Sequence, residues 1–321
     1  MHFATVLNRD GGTLRTTDLD AFSDRIRQTL EAAGHSCDIA VVDGAGVEEA
    51  LTMAASAQGV DVVMAGGGDG TVSAAAGILR DSDKALAIIP AGTMNLFARG
   101  LGVPLGLDEA VAAFATGEVR AVDTATANGR PFIHQLSIGM HAKMVKLREQ
   151  MEFGSRWSKL GASVRASYHT ILNPPVMKVA LEMEDTEIVA RTTGIGFTNN
   201  LFGEGHLPYS DKPDAGVLGI YVTVARHRGE IVRHFVNVAR GRWRDNDQVE
   251  IHEAKKVVLK LVGNRNRRDA VLDGELIRLE DETEIAIAPR SLRVLVPAKK
   301  PETSWLDPLA KLAAGKRAEI Q

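Results

Sequence analysis

The chain has 321 residues, 45% of them hydrophobic and 25% charged, which is the composition of a globular protein long enough for one large or two ordinary domains. A formal net charge of -3 offers no global attraction for nucleic acid, and a single cysteine, Cys37, excludes an intramolecular disulfide and reads as a small buried apolar residue. No apolar run approaches the ~20 residues of a membrane span, and the start, MHFATVLNRD, shows no secretory signal, so the expected location is the cytoplasm.

Phe3–Leu7 reads as a first strand running into Asn8-Arg9-Asp10-Gly11-Gly12-Thr13. Thr17–Ala33 reads as a helix: Thr17 or Asp18 can cap it, Leu19, Phe22, Ile26 and Leu30 recur at helical spacing, and Gly34 ends it. Cys37–Val42 is the next expected strand and Val47–Ala57 the next helix. Val60–Ala65 then reads as a buried central strand, followed by a loop of Gly66, Gly67, Gly68, Asp69, Gly70 and Thr71 and a helix of small residues to Leu79. Ala85–Ile89 is a fourth strand, ending at Pro90-Ala91-Gly92-Thr93, with Thr93 expected to cap a short helix over Asn95–Gly100; Leu107–Thr116 is another helix. Strands alternating with helices imply a Rossmann-like parallel sheet with helices on both faces. In such a sheet three glycine-bearing loops leaving carboxyl ends of strands can converge on one ligand.

From about Val119 short β-like runs dominate: Arg120–Ala127, Pro131–Ile138, Val176–Glu182, Ile188–Phe197, Leu218–Val224, Gln248–Ile251, Lys255–Leu261, Glu284–Ile287 and Leu292–Val296. This predicts a β-sandwich-like second domain, interrupted by helices over 155–171 and about 229–240. The expected division is 1–122, 123–298, with the final strand free to return to the first domain, and a tail of 299–321. Trp305, Leu306, Leu309 and Leu312 share one side of that tail, which suits either a helix docked on its own domain or one lying on a membrane surface.

A glycine loop between strand and helix serves as an ordinary tight turn or as a phosphate cradle, because glycine lets a ligand approach the backbone and the helix start offers N–H groups and partial positive charge. Asp69 favours the second reading: a carboxylate in an anion-binding loop must bind a metal, take a proton or orient a neighbour. Asp273-Gly274-Glu275 by itself reads as a hairpin turn with a surface glutamate.

The motifs Gly67-Gly68-Asp69-Gly70-Thr71, then Pro90-Ala91-Gly92-Thr93-Met94-Asn95-Leu96-Phe97-Ala98-Arg99, then Asp273-Gly274-Glu275, in this order, resemble the diacylglycerol kinase catalytic family, which includes bacterial lipid kinases, sphingosine kinases and ceramide kinases. The resemblance covers roughly residues 2–298 and implies a nucleotide-binding α/β domain and a β-rich lipid-substrate domain. It implies ATP and Mg2+ as cofactors. It assigns nucleotide contacts to Asn8, Gly11, Gly12, Gly67, Gly68, Asp69, Gly70, Thr71, Thr93 and Asn95, the nucleotide-bound metal to Asp69, and proton acceptance to Glu275, with Asp273 beside it. Phosphoryl transfer to an alcohol needs those parts: neutralised phosphates, an in-line hydroxyl and a base. The chain departs from the family pattern at Ser73 and Ala74 in place of Asn-Glu, and at Leu96 in place of Asp. At Ala215 a ligand of a structural magnesium is expected, leaving Asp214 as the available carboxylate.

The implied partners are ATP and a membrane lipid acceptor (diacylglycerol, ceramide or a sphingoid base), with peripheral contact to the inner face of the membrane, no nucleic acid, and a homodimer allowed. Basic residues of the second domain, among them His134, His141, Arg233, Arg242, Arg265 and Arg268, suit either a solvated surface or a rim facing anionic headgroups. Two other activities fit the glycine motif: a kinase for a soluble acceptor such as NAD, and a non-catalytic ATP or lipid sensor.

Overall fold

The computed structural model describes residues 1–149, 173–184, 186–203, 207–225, 228–239, 246–263 and 268–298. The expected helix over 155–171, the tail from 299, and most of the basic rim, including Arg242 and Arg265, lie outside the described residues.

The first half alternates as expected: β1 (His2–Asn8), α1 (Leu19–Ala32), β2 (Ser36–Val42), α2 (Val47–Ser56), β3 (Val62–Gly67), α3 (Asp69–Leu79), β4 (Ala85–Pro90), α4 (Leu96–Gly100) and α5 (Leu107–Ala115). The strands run parallel in the order β2-β1-β3-β4. β3 and β4 are buried along their whole length, as strands covered on both faces must be. Of the two candidate caps of α1, Asp18 does the work, accepting the Ala21 N–H at 3.1 Å, and Phe22, Ile26 and Leu30 turn into the core. Cys37 is half-buried on β2 rather than enclosed; its Sγ lies 3.2 Å from Thr5 Oγ1, and burial pushes its thiol up from the ordinary value. Less thiolate forms there, so it is a poor nucleophile.

The central glycine stretch departs from expectation. Gly66 and Gly67 belong to β3, because Gly67 continues the parallel ladder opposite Pro90, and Asp69, Gly70 and Thr71 are the first turn of α3. The loop contracts to Gly68, so strand and helix meet almost directly.

The second half contains β5 (Glu118–Ala127), β6 (Arg130–Phe132), β7 (Gln135–Gly139), α6 (Met140–Glu149), β8 (Met177–Met183), β9 (Thr186–Thr192), β10 (Gly194–Asn199), β11 (Leu218–Thr223), α7 (Arg228–Ala239), β12 (Val249–Ala254), β13 (Lys256–Val262), β14 (Asp269–Leu272), β15 (Glu275–Arg278) and β16 (Glu282–Val296). α6 was not expected from the sequence; β14 and β15 flank the hairpin turn read at Asp273-Gly274-Glu275, where no strand ranges were assigned. Two expected strands each split between sheets: Pro131–Ile138 becomes β6 and β7, and Ile188–Phe197 becomes β9 and β10. Conversely, the last two expected strands fuse into β16, which passes through a bulge between Ala288 and Leu292 with Arg290 at φ 53°.

The sheet that begins in the first half is therefore not purely parallel. Among the described residues it has ten strands, because β16 runs parallel to β4 at Arg293 and Val294, antiparallel to β13 nearer its start, and antiparallel to β5 along the opposite edge. The antiparallel sheet β12-β11-β10-β7-β14-β15 packs against its distal part. Leu136, Ile138, Ile195, Phe197 and Ile220 from one sheet and Val179, Leu181, Val257, Leu259 and Ile285 from the other fill the sandwich core.

A fully buried carboxylate fastens this junction. Asp123 of β5 accepts the Gly216 N–H at 2.7 Å, the Arg290 N–H at 2.8 Å and Asn200 Nδ2 at 3.1 Å. It thereby holds the β16 bulge and the approach to β11. Asp123→Ala strands the buried Asn200 amide and two partly buried N–H groups, and is expected to lower stability by about 2–4 kcal/mol, read as a lower urea midpoint at unchanged slope.

Candidate active site

Three glycine-bearing loops touch at the carboxyl ends of β1, β3 and β4. The Thr13 N–H reaches Ala91 O at 2.8 Å and the Ala91 N–H reaches Gly67 O at 2.9 Å. Gly12, at φ 23°, leaves no room for a side chain: a Cβ there would stand 2.0 Å from Ala91 O. A Cβ on Gly67 would fall 2.5 Å from Thr71 Oγ1, and one on Gly92 would fall 2.9 Å from Gly68 Cα. Asn8 at the end of β1 donates from Nδ2 to Thr71 Oγ1 at 3.1 Å, and its Oδ1 accepts the Asp10 N–H at 3.0 Å. Asn8, Gly11, Gly12, Gly67, Gly68, Gly70 and Thr71 thus gather at the start of α3, with Gly12 and Gly70 exposed and Gly11, Gly67 and Thr71 buried, where the first N–H groups of a helix have no partner within it.

Asp69 joins the first motif to the second. Its carboxylate accepts the Asn95 N–H at 3.1 Å and the Leu96 N–H at 2.9 Å, capping α4 from another helix. This corrects the expectation that Thr93 caps α4. Thr93 is exposed, and the residue before the helix is Asn95, held at φ 50°. Asn95 keeps that left-handed turn closed with its own amide, accepting from the Gly92 N–H at 2.9 Å and donating to Gly92 O at 3.0 Å.

Asp273 joins the two halves of the chain. It and Gly274 occupy a two-residue turn between β14 and β15 with φ of 47° and 96°, the geometry in which both central residues are left-handed. Its carboxylate accepts the Ile133, His134 and Gln135 N–H groups at 2.8, 3.0 and 2.9 Å, and the Ser73 hydroxyl of α3 at 2.7 Å. Ser73 follows Asp69 by four residues, hence on the same helix face about 6 Å further along the axis. The turn carrying Glu275 is thus anchored one helical turn from the glycine surface. Glu275 itself is exposed and pairs with Arg130 through Nη2 at 2.8 Å.

Beside this turn lies a cavity of about 230 Å³ on the outer face of the second sheet, lined by residues including Gln135, Ser137, Met140, His141, Met144, Gly196, Phe202 and Tyr221. Gln135 belongs to both features, since its backbone exchanges bonds with Asp273: the Asp273 N–H reaches Gln135 O at 2.9 Å. His141 and His134 do not join a basic rim. His141 Nδ1 sits 2.5 Å from Ser137 Oγ, and His134 Nε2 sits 2.6 Å from Pro208 O with its ring stacked on Phe202. Arg268 pairs with Asp281, and Arg233 is exposed on α7.

The structure brings the glycine residues, Asn8, Thr71, Asp69, Asn95 and Asp273 together, and leaves Asp214 exposed on the segment that Asp123 holds. Among the described residues no three His, Cys, Asp or Glu side chains gather as a metal cluster. Sequence reasoning missed Ser73 and Arg130. The four-residue spacing from Asp69 marks Ser73 as facing the same way, whereas nothing in the sequence points to Arg130.

Residues 2–127 match the diacylglycerol kinase catalytic domain and residues 135–296 match the YegS C-terminal NAD kinase beta sandwich-like domain. A diacylglycerol kinase of Mycobacterium tuberculosis is 29% identical over 271 residues, covering 81% of this chain and 85% of its own length. An uncharacterized protein of Synechocystis is 26% identical over 256 residues, 75% of this chain, which spans 56% of that relative's length. A crystal structure described as a diacylglycerol kinase from Bacillus anthracis shares the fold, with a TM-score of 0.69 and 21% identity over 92% of this chain and 96% of that one. The matched catalytic domain and the relatives named diacylglycerol kinase and probable lipid kinase define the class: a kinase with an alcohol acceptor. The chain belongs to the diacylglycerol kinase family.

Ser73→Ala removes one of four donors to Asp273 and is expected to cost about 1 kcal/mol, whereas Asp273→Ala strands three backbone N–H groups and costs about 2–4 kcal/mol. A double-mutant cycle by urea denaturation should give a coupling above about 0.5 kcal/mol.

Proposed function

We propose that the protein is an ATP-dependent lipid kinase, transferring the γ-phosphoryl group of ATP to the hydroxyl of a membrane lipid, with diacylglycerol, ceramide and sphingoid bases as the acceptor classes. The observation that carries this reading is the Asp273 anchor: one carboxylate binds the helix of the glycine loop, holds the turn bearing Glu275, and borders the apolar cavity through Gln135. Nucleotide site, base and acceptor pocket are then neighbours. In this reading residues 1–122 serve the nucleotide and 123–298 the acceptor.

The glycine surface fits a nucleotide tail, since Gly70 in the first turn of α3 is exposed with open space around it, and donors at a helix start suit phosphate. Asn8, Gly11, Gly12, Gly67, Gly68, Gly70 and Thr71 would bind the phosphates, with exposed Thr93 adding a hydroxyl and Asn95 shaping the third loop. Asp69 keeps lone pairs beyond its two N–H bonds for a magnesium ion carried with ATP; that ion would neutralise charge on the phosphates. Asp214 is exposed and without companions for a second ion among the described residues. The acceptor oxygen forms its bond to the γ-phosphorus as the bond to the ADP oxygen breaks, and Glu275 takes the hydroxyl proton. Arg130 orients Glu275 through their ion pair.

No helix among the described residues is long and apolar enough to cross a membrane. An enzyme acting on bilayer lipid is then expected at the inner face of the membrane, in peripheral contact. A second reading, a soluble acceptor such as NAD, is favoured by the NAD kinase-like description of the matched second domain.

Labelled ATP offered with lipid vesicles, and separately with NAD in their absence, discriminates the two; label in lipid alone supports the first. Glu275→Gln is expected to lower kcat by about 10²–10⁴-fold while ATP affinity, measured by calorimetry, stays within about twofold; an unchanged rate removes Glu275 from the role of base.

A further inference from the structure

The outer face of the second sheet lacks one side chain where the cavity lies. Ser137, Gly196 and Tyr221 form one cross-strand row on β7, β10 and β11, with Gly196 at its centre. The row's other face is ordinary core, since neighbouring Ile195 and Phe197 are buried in the sandwich. Glycine in a strand interior sacrifices packing and conformational entropy, so it calls for a reason. Two nearby glycines have one: a Cβ on Gly219 would fall 2.4 Å from Thr198 Oγ1, and a Cβ on Gly194 would lie 3.3 Å from Ile138 O. Gly196 has no such reason. Its φ is not positive, and the nearest atom to a Cβ built there is Tyr221 Cβ at 4.0 Å. A side chain at Gly196 would instead project into the cavity.

We infer that Gly196 is a specificity-determining residue: its missing side chain is the floor of a groove that takes one acyl chain of the acceptor, and sets how long that chain can be. This rests on the lipid kinase reading above. Met140 and Met144 of α6 line the groove with adaptable apolar side chains, and His141 between them is held on Ser137. Its volume of about 230 Å³ is below the ~300–1,000 Å³ that encloses a whole small ligand. A two-chain lipid therefore enters with part of one chain, leaving the remainder outside. The groove begins at Gln135, whose backbone is bonded to Asp273, so a chain lying along it puts its polar end beside the turn of Glu275.

The test compares the full chain with Gly196→Ala and Gly196→Leu, using diacylglycerols and ceramides of graded chain length in mixed micelles. Gly196→Leu is expected to lower the ratio of long-chain to short-chain kcat/KM by about 10–100-fold, with Gly196→Ala intermediate and both melting temperatures close to that of the unchanged protein. An unaltered chain-length ratio in both variants, or a uniform loss across all chain lengths in folded Gly196→Ala, overturns the assignment. Failure of the unchanged protein to phosphorylate any lipid overturns the lipid kinase reading instead, so the two failures are distinct.

Discussion

A single carboxylate carries the relation between the two halves of this molecule. Asp273 stands in a left-handed turn and accepts hydrogen bonds from three consecutive backbone N–H groups of the 133–135 segment and from the Ser73 hydroxyl. The three N–H groups belong to the stretch that leaves one sheet at β6 and enters the other at β7; Ile133 and His134 lie between the two strands, and Gln135 opens β7. An acceptor in that place satisfies donors that would be costly to bury unpaired, and its remaining capacity is spent on α3.

The same device recurs. Asp69 bonds the first two N–H groups around the start of α4, and Asp18 caps α1 within its own segment. Asp123 satisfies three donors at the junction of β5, β16 and the approach to β11. In each case a short acidic side chain satisfies N–H groups where regular structure stops. Two of these carboxylates, Asp69 and Asp273, lie on or against one face of α3. That helix therefore orders both the glycine surface at its start and the hairpin that carries Glu275.

The second sheet divides its labour by face. Inward, Leu136, Ile138, Ile195, Phe197 and Ile220 close the sandwich core. Outward, Ser137, Gly196 and Thr198 leave volume that α6 roofs without filling. A β-strand alternates its side chains by geometry, so one strand can serve as core on one side and as a groove wall on the other.

Local sequence determined the elements whose signals are local. The alternation of strand and helix through residue 116, the cap and apolar stripe of α1, and the approach of three glycine-bearing loops were legible because periodicity, capping and strand polarity act within a few residues. The ordered motifs also carried the family. Tertiary structure alone decided the rest. Where expected strands split between sheets, as at Thr193, or fused, as in β16, the outcome depends on partners far along the chain. The pairing of Ser73 with Asp273 joins residues 200 apart, and that of Arg130 with Glu275 joins residues 145 apart. A hydrogen bond needs its donor within about 3 Å of its acceptor, and closure over such separations is set by the packing of the whole fold, which no stretch of sequence records by itself.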